Sequence, residues 1–160
     1  MTVHTRPAEA RDLDFIADGN SAMAFETEHK RLDPPTVRRG VQAAFDDPGR
    51  GRYFVAEIDG QVVGQMMITY EWSDWRNGVF WWIQSVYVVP QARRKGVFRA
   101  LYDHVERLAR NSAGVCGLRL YVEHDNIRAQ QTYLGCGMFN AGYLVMETDY
   151  SGAVTRAGEH

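Results

Sequence analysis

The chain has 160 residues and a formal net charge of −2, which fits one compact domain and lacks the strongly basic balance of a general nucleic-acid binder. Hydrophobic residues make up 45% and charged residues 24%, and four Trp, eight Tyr and seven Phe argue against disorder. No stretch approaches the ~18 apolar residues of a membrane span, and Met1 to Arg6 lacks the apolar run of a signal peptide.

Cys116 and Cys136 form no ligand-spaced cluster, so no metal site is expected. Two lone thiols read as reduced, buried residues of a cytoplasmic protein. Residues 3–7 predict a short strand ended by Pro7, and a helix follows from about Glu9, with Leu13, Ile16, Ala17 and Asn20 on one side. Ser21 to Leu32 shows no clear period. Pro34-Pro35 punctuates it, because the residue before a proline avoids the helical region. Thr36 to Phe45 predicts a second helix, with Val37, Val41, Ala44 and Phe45 on one stripe.

Two β-rich runs, Tyr53 to Ile58 and Gln61 to Tyr70, flank Asp59-Gly60. That dipeptide is the strongest short hairpin signal, since both turn positions need positive φ. Glu71 to Gly78 reads as a polar loop, and Val79 to Val89 as a long strand stopped by Pro90. Phe98, Leu101, Val105 and Leu108 keep helical spacing to about Arg110. Leu118 to Val122 predicts a strand, Asn126 caps a helix to about Gly135, and Met138 to Thr148 predicts the last strand. A single domain over residues 1–150 and a frayed tail over 151–160 are expected. The order β-α-α-β-β-β-α-β-α-β predicts an α/β (α+β) sandwich. Its mixed, mostly antiparallel sheet contains a central right-handed βαβ crossover and carries helices on both faces.

Chemistry concentrates where the strand Gln84 to Val89 meets the basic turn Arg93-Arg94-Lys95-Gly96 and an amphipathic helix. A helix N-terminus offers unpaired N–H groups and partial positive charge to a phosphate, and a glycine lets the backbone approach closely. A solvated basic loop is the plainer reading of the same stretch. Neither a Walker A loop nor a GxGxxG fingerprint is present.

At this place the chain resembles the GCN5-related N-acetyltransferase (GNAT) family. Arg93-Arg94-Lys95-Gly96-Val97 matches that family's [Q/R]xxGx[G/A] signature, with Phe98 departing from the small last residue. Downstream, Leu120 to Glu123 followed by Asn126, Ala129, Tyr133 and Gly137 resembles the family's strand–helix block. The resemblance covers essentially residues 3–149. It implies acetyl-CoA as cosubstrate. The pantetheine arm would lie along the backbone of Val86, Tyr87 and Val88, and the pyrophosphate on Arg93, Arg94, Lys95, Gly96, Val97, Phe98 and Arg99. Asn126 would touch the cofactor arm, and Tyr133 would protonate the departing thiolate.

Without the family, Tyr133 reads first as a core residue sharing an i,i+4 face with Ala129. As an acid it has the right chemistry, because a phenol keeps its proton at neutral pH. The base is less conventional. Gln84 stands where relatives often carry Glu, and an amide cannot take a proton. Glu71 is the first replacement, with Glu26, Glu28 and Asp74 behind it, each also readable as a surface carboxylate. Trp72, Trp75 and Trp82 form either an aromatic wall for a cationic amine or a packing or dimer contact. Trp81 and Trp82 must face opposite sides of the sheet, so one belongs to the core.

The resulting expectation is acetyl transfer from acetyl-CoA to a primary amine by direct attack in a ternary complex. A small cationic or polyamine-like acceptor is expected, in a homodimeric cytoplasmic enzyme with no nucleic-acid or membrane partner. The alternative is a non-catalytic acyl-CoA-binding or sensor domain, which the loss of a base at Gln84 permits.

Overall fold

Chain order in the computed structural model, which describes residues 1–156, is β1 (Val3–Pro7), α1 (Leu13–Glu28), β2 (Lys30–Leu32), α2 (Pro34–Asp46), β3 (Arg52–Ile58), β4 (Gln61–Ser73), β5 (Gly78–Val88), α3 (Val97–Arg110), β6 (Val115–Leu120), α4 (Ile127–Gly135) and β7 (Val154–Arg156). The main sheet runs β1-β3-β4-β5-β6. Its pairs are antiparallel except β5 and β6, which are parallel and joined through α3. That is the mixed sheet with one crossover that the element order predicts.

Alternation along the strands supplies two apolar faces. Phe54, Ala56, Met66, Ile68 and Ile83 pack with Leu101, Val105 and Ala109 of α3. Tyr53 and Val55 point the other way, against Ile16 and Ala17 of α1 and Val41 and Ala44 of α2. Trp81 is in the α3 core, as one of the paired tryptophans had to be. The hairpin turn has Asp59 at φ 51° and Gly60 at φ 78°, the type I′ combination.

Several boundaries differ from the sequence reading. α1 continues through the segment that shows no clear period and stops at His29, whose φ of 54° is left-handed. Pro34-Pro35 starts a helix: Asp33 accepts the Thr36 N–H at 3.2 Å, and prolines suit a first turn that needs no donors. β4 continues to Ser73, so Glu71 and Trp72 are strand residues. Cys116 is exposed on β6 and Cys136 is half-buried, where two buried thiols were expected.

The strand expected over Met138–Thr148 does not form. Residues 139–152 make no backbone–backbone hydrogen bonds among the described residues. Asn140 Oδ1 accepts the Gly142 N–H at 2.8 Å and Gly142 takes φ 82°, a local turn that interrupts the extended run. Ordered pairing resumes within the stretch expected to fray, where β7 pairs with β2. The rest of that stretch, residues 157–160, lies outside the described residues.

Candidate active site

Parallel pairing of β5 with β6 ends at Ile83 opposite Leu120. Beyond that point β5 keeps β4 on one side and, among the described residues, has no paired strand on the other. A wedge therefore opens beside residues 84–88. At the same level the β4–β5 ladder slips: Met67 pairs with Gln84, but Gln65 pairs with Tyr87. Ser85 takes a left-handed φ of 52° in this bulge, and bulges re-aim the residues around them. The side chains of Val86 and Val88 pack on the α3 core, so these residues can serve the wedge through their backbone.

The turn that follows is shaped for an anion. Arg94 at φ 62° and Gly96 at φ 79° bend the chain, and Gly96 occupies the N-cap of α3 with no side-chain cap. The first-turn N–H groups of Val97, Phe98 and Arg99 have no intrahelical acceptor, and the next, that of Ala100, goes to the Gly96 carbonyl at 3.0 Å. Val97 is buried and anchors the turn to the core.

The cations divide into two groups. Arg93 donates to the Val88 carbonyl at 2.9 Å and to Glu26 at 2.7 Å, tying the turn to β5 and to the end of α1. Arg99 donates to Asp103 at 2.9 Å. Arg94 and Lys95 are exposed and have no carboxylate partner among the described residues.

Phe98 does not crowd this loop. Its ring packs edge-on to Tyr133 at 5.6 Å and tilted to Tyr102 at 6.0 Å. The same packing brings Tyr133 of α4 to the first turn of α3. Burial pushes the Tyr133 phenol above its ordinary pKa, with a further push from Cys136. Burial also raises the Cys136 thiol, against the pull of Arg99, whose Nη1 lies 3.8 Å from the sulfur. A thiol held protonated is a poor nucleophile. Asn126 caps α4 by accepting the Ala129 N–H at 3.1 Å.

On the opposite face from α3, Gln84 donates to the Thr69 hydroxyl at 2.6 Å. Glu71 stands two residues along the same strand, and its Oε1 accepts from Arg119 at 2.5 Å. Arg119 also lies 3.8 Å from the centre of the Phe80 ring. Glu71, the first candidate for the base, is thus engaged in an ion pair. Trp82 packs against Tyr121 at 4.4 Å between ring centres. Trp72 and Trp75 are exposed and do not line the cleft described next. Glu26 is committed to Arg93.

A cleft of about 600 Å³ opens between α1, α2 and the sheet. Thr69, Ser85 and Met67 form part of its floor; Glu28, Glu147 and Asp149 stand on its walls with Lys30 and Arg50, and Lys30 lies 3.4 Å from Glu28. Glu147 and Asp149 escape sequence reasoning because the expected strand hides them. Thr69 is legible through its alternation with Met67 and Glu71.

The acetyltransferase (GNAT) family model matches residues 19–138. The chain belongs to the GNAT acetyltransferase family. A possible acetyltransferase from Clostridium difficile 630 superposes with a TM-score of 0.85 and 43% identity, covering 93% of this chain and 98% of that one. AAC(6')-Iy, in complex with the bisubstrate analogue CoA-S-monomethyl-acetylneamine, shares the fold at 14% identity and a TM-score of 0.74, over 93% of this chain and 99% of that one. A mycothiol acetyltransferase from Frankia casuarinae is 33% identical over 149 residues, 86% of this chain. The chain spans 41% of that relative's length. No helix among the described residues is long and apolar enough to cross a membrane.

Proposed function

We propose that this GNAT protein transfers the acetyl group of acetyl-CoA to a primary amine of a small molecule. The observation that carries the reading is the wedge beside residues 84–88 leading directly into the uncapped, left-handed turn at Arg94 and Gly96. Such a site suits a ligand with an extended amide-bearing arm and a pyrophosphate. The arm pairs with the backbone of Val86–Val88 as an added strand would. The pyrophosphate meets the N–H groups of Val97–Arg99 and the charges of Arg94 and Lys95. When bound, acetyl-CoA supplies an activated thioester.

The chain's own residues divide the remaining work. A β5 backbone N–H stabilises the carbonyl oxygen as it gains charge. The acceptor amine enters from the cleft over Thr69, and the oxygen of Gln84 accepts from it while Gln84 Nε2 holds Thr69. The amine nitrogen bonds to the acetyl carbon, the carbon–sulfur bond breaks, Tyr133 gives its proton to the sulfur, and water takes the amine's proton. Bulk solvent then restores the phenol.

Glu28 is paired with Lys30, and the carboxylates of Glu147 and Asp149 favour a cationic acceptor, which moves the expected cationic subsite from the Trp72–Trp75 loop to the cleft. The name of the Frankia relative supports a small-molecule acceptor. A cytoplasmic homodimer completes the reading. The exposed apolar run Phe139 to Tyr150 and the unpaired edge of β6 support self-association.

The test is calorimetry with coenzyme A, followed by thiol release from acetyl-CoA with spermidine, glucosamine and an aminoacyl amide. Binding with amine-dependent thiol release supports the enzyme. Binding without turnover on a broad amine panel favours the sensor alternative, and absence of binding overturns both.

A further inference from the structure

A buried polar cluster under the wedge has no part in the proton and acyl transfers above. Gln65 is completely buried. Its Nε2 donates to Asn20 Oδ1 on α1 at 2.7 Å and to the Ser85 carbonyl on β5 at 3.1 Å, which uses both hydrogens. Its Oε1 has no hydrogen-bond partner among the described residues. Burying an amide with one end unpaired is costly, so the position calls for a reason.

The bulge supplies one. Ser85 and Val86 together stand opposite the single residue Met66, and Ser85 holds a φ of 52° that L residues avoid. Its carbonyl is taken by the Gln65 side chain. α1 approaches closely enough to complete the arrangement because residue 19 is glycine. A Cβ there would fall 2.5 Å from Gln65 Oε1 and 3.0 Å from the Tyr87 ring. One helix and two strands therefore converge on the residue where β5 changes direction.

We infer that Asn20 and Gln65 are positioning residues that clamp the Ser85 bulge and so fix the direction in which the Val86–Val88 backbone faces the wedge. The inference rests on the proposal that this backbone receives the acetyl-CoA arm. Neither side chain touches the reacting atoms. Their effect is geometric, and small misplacement of a donor is costly to the chemical step. The pyrophosphate turn lies beyond Pro90 and is also tied to Glu26 through Arg93, so its share of coenzyme A affinity should survive loss of the clamp while the arm's share weakens.

Gln65→Met keeps the length and volume of the side chain and removes the donor. Hydrogen exchange reads the clamp without any ligand: backbone amides of residues 85–88 are expected to exchange ~10-fold faster, with the amides of α3 unchanged. Calorimetry with coenzyme A is expected to give a Kd weakened by less than ~10-fold, because the pyrophosphate contacts remain. With the best amine of the panel, kcat is expected to fall ~10-fold at nearly constant acceptor KM. Gly19→Ala, which pushes on Oε1 from the helix side, is expected to give the same signature.

Val105→Ala in the α3 core serves as the control for lost stability and is expected to keep kcat. Should Gln65→Met prove insoluble, Asn20→Ala is measured in its place. Unchanged exchange at residues 85–88 overturns the clamp, as does a kcat no lower than that of an equally destabilised Val105→Ala. A parent protein that binds no coenzyme A sinks the acyl-transfer reading instead, and the exchange measurement still decides the clamp.

Discussion

At the scale of single residues, Tyr133 carries the sharpest expectation. Its phenol is raised by burial, so it stays protonated through the neutral range, as the proposed proton transfer to the thiolate requires. The sign follows: a raised pKa preserves the donor as pH climbs, and loss of the proton belongs above pH ~10. Tyr133→Phe removes only the hydroxyl, and the ring contact with Phe98 can persist. The expected result is a ~10²-fold lower kcat with unchanged coenzyme A affinity, and a kcat within twofold of the parent would return Tyr133 to the core.

Gly96 separates two costs in the turn that precedes α3. A Cβ there meets nothing within 4 Å, so its penalty is the left-handed φ of 79°, about 1–2 kcal/mol for an L residue. Gly96→Ala should lower Tm with a modest effect on coenzyme A. Gly96→Glu adds a carboxylate beside the proposed phosphate site and should weaken binding well beyond the alanine variant. Equal dissociation constants for the two variants would remove the phosphate from this turn. For Glu71, the Arg119 ion pair recasts the question. Glu71→Gln should leave kcat near its parent value, and a lost acidic limb in the kcat profile would reinstate it as the base.

Elements show what ties the site to its scaffold. Arg6 of β1 holds Asp12 at the start of α1 at 2.8 Å and Glu57 of β3 at 2.7 Å. Burial alone would raise the Asp12 carboxyl, but its bonds from Arg6 and the Glu9 N–H prevail and hold it below its ordinary value. A carboxyl depressed in the folded state contributes stability above its unfolded pKa of about 3.9 and loses it as pH falls through the lower folded value. The parent should therefore lose stability below pH ~4, and Asp12→Asn should flatten that limb. Breaking so buried a pair should itself cost ~3 kcal/mol at neutral pH, read as a fall in the urea midpoint.

Which elements were legible follows from the same physics. The Asp59-Gly60 hairpin and the α3 stripe announce themselves because one local pattern decides each. The turn before α3 was legible because Gly96 and its flanking cations sit between a strand and a helix of clear period. α1 was only half legible, since Gly19, Asn20 and Ala24 bury small or polar side chains that break the apolar period. The Pro34-Pro35 pair signals a boundary without saying which side is helical, and Asp33 decides it. The Gln65–Asn20 clamp leaves no sequence signal, because two amides 45 residues apart meet only after the sheet and α1 are assembled.

The whole molecule exposes a surface that a single copy leaves uncovered. Tyr143, Leu144, Met146 and Tyr150 are each more than 70% exposed, on a stretch without backbone hydrogen bonds among the described residues. No residue of α4 is fully buried, Ile127 and Leu134 are exposed, and β6 ends the sheet with one edge unpaired among the described residues. Apolar side chains and unpaired backbone on one segment, beside an open sheet edge, are complementary in a symmetric pair of chains. The proposed homodimer should therefore form through this C-terminal run and the β6–α4 surface.

Light scattering should give twice the 18.2 kDa chain mass. Leu144→Asp combined with Met146→Asp places charges on alternate residues of the run and should return the protein to the single-chain mass, with an unchanged circular dichroism spectrum. A bismaleimide should join exposed Cys116 of β6 to a cysteine introduced at Val145 of the other copy, in a Cys136→Ser background. A covalent dimer is the expected product. A parent protein that stays at single-chain mass at its highest soluble concentration would end the dimer proposal. A dimer that survives the double substitution would move its interface to another face.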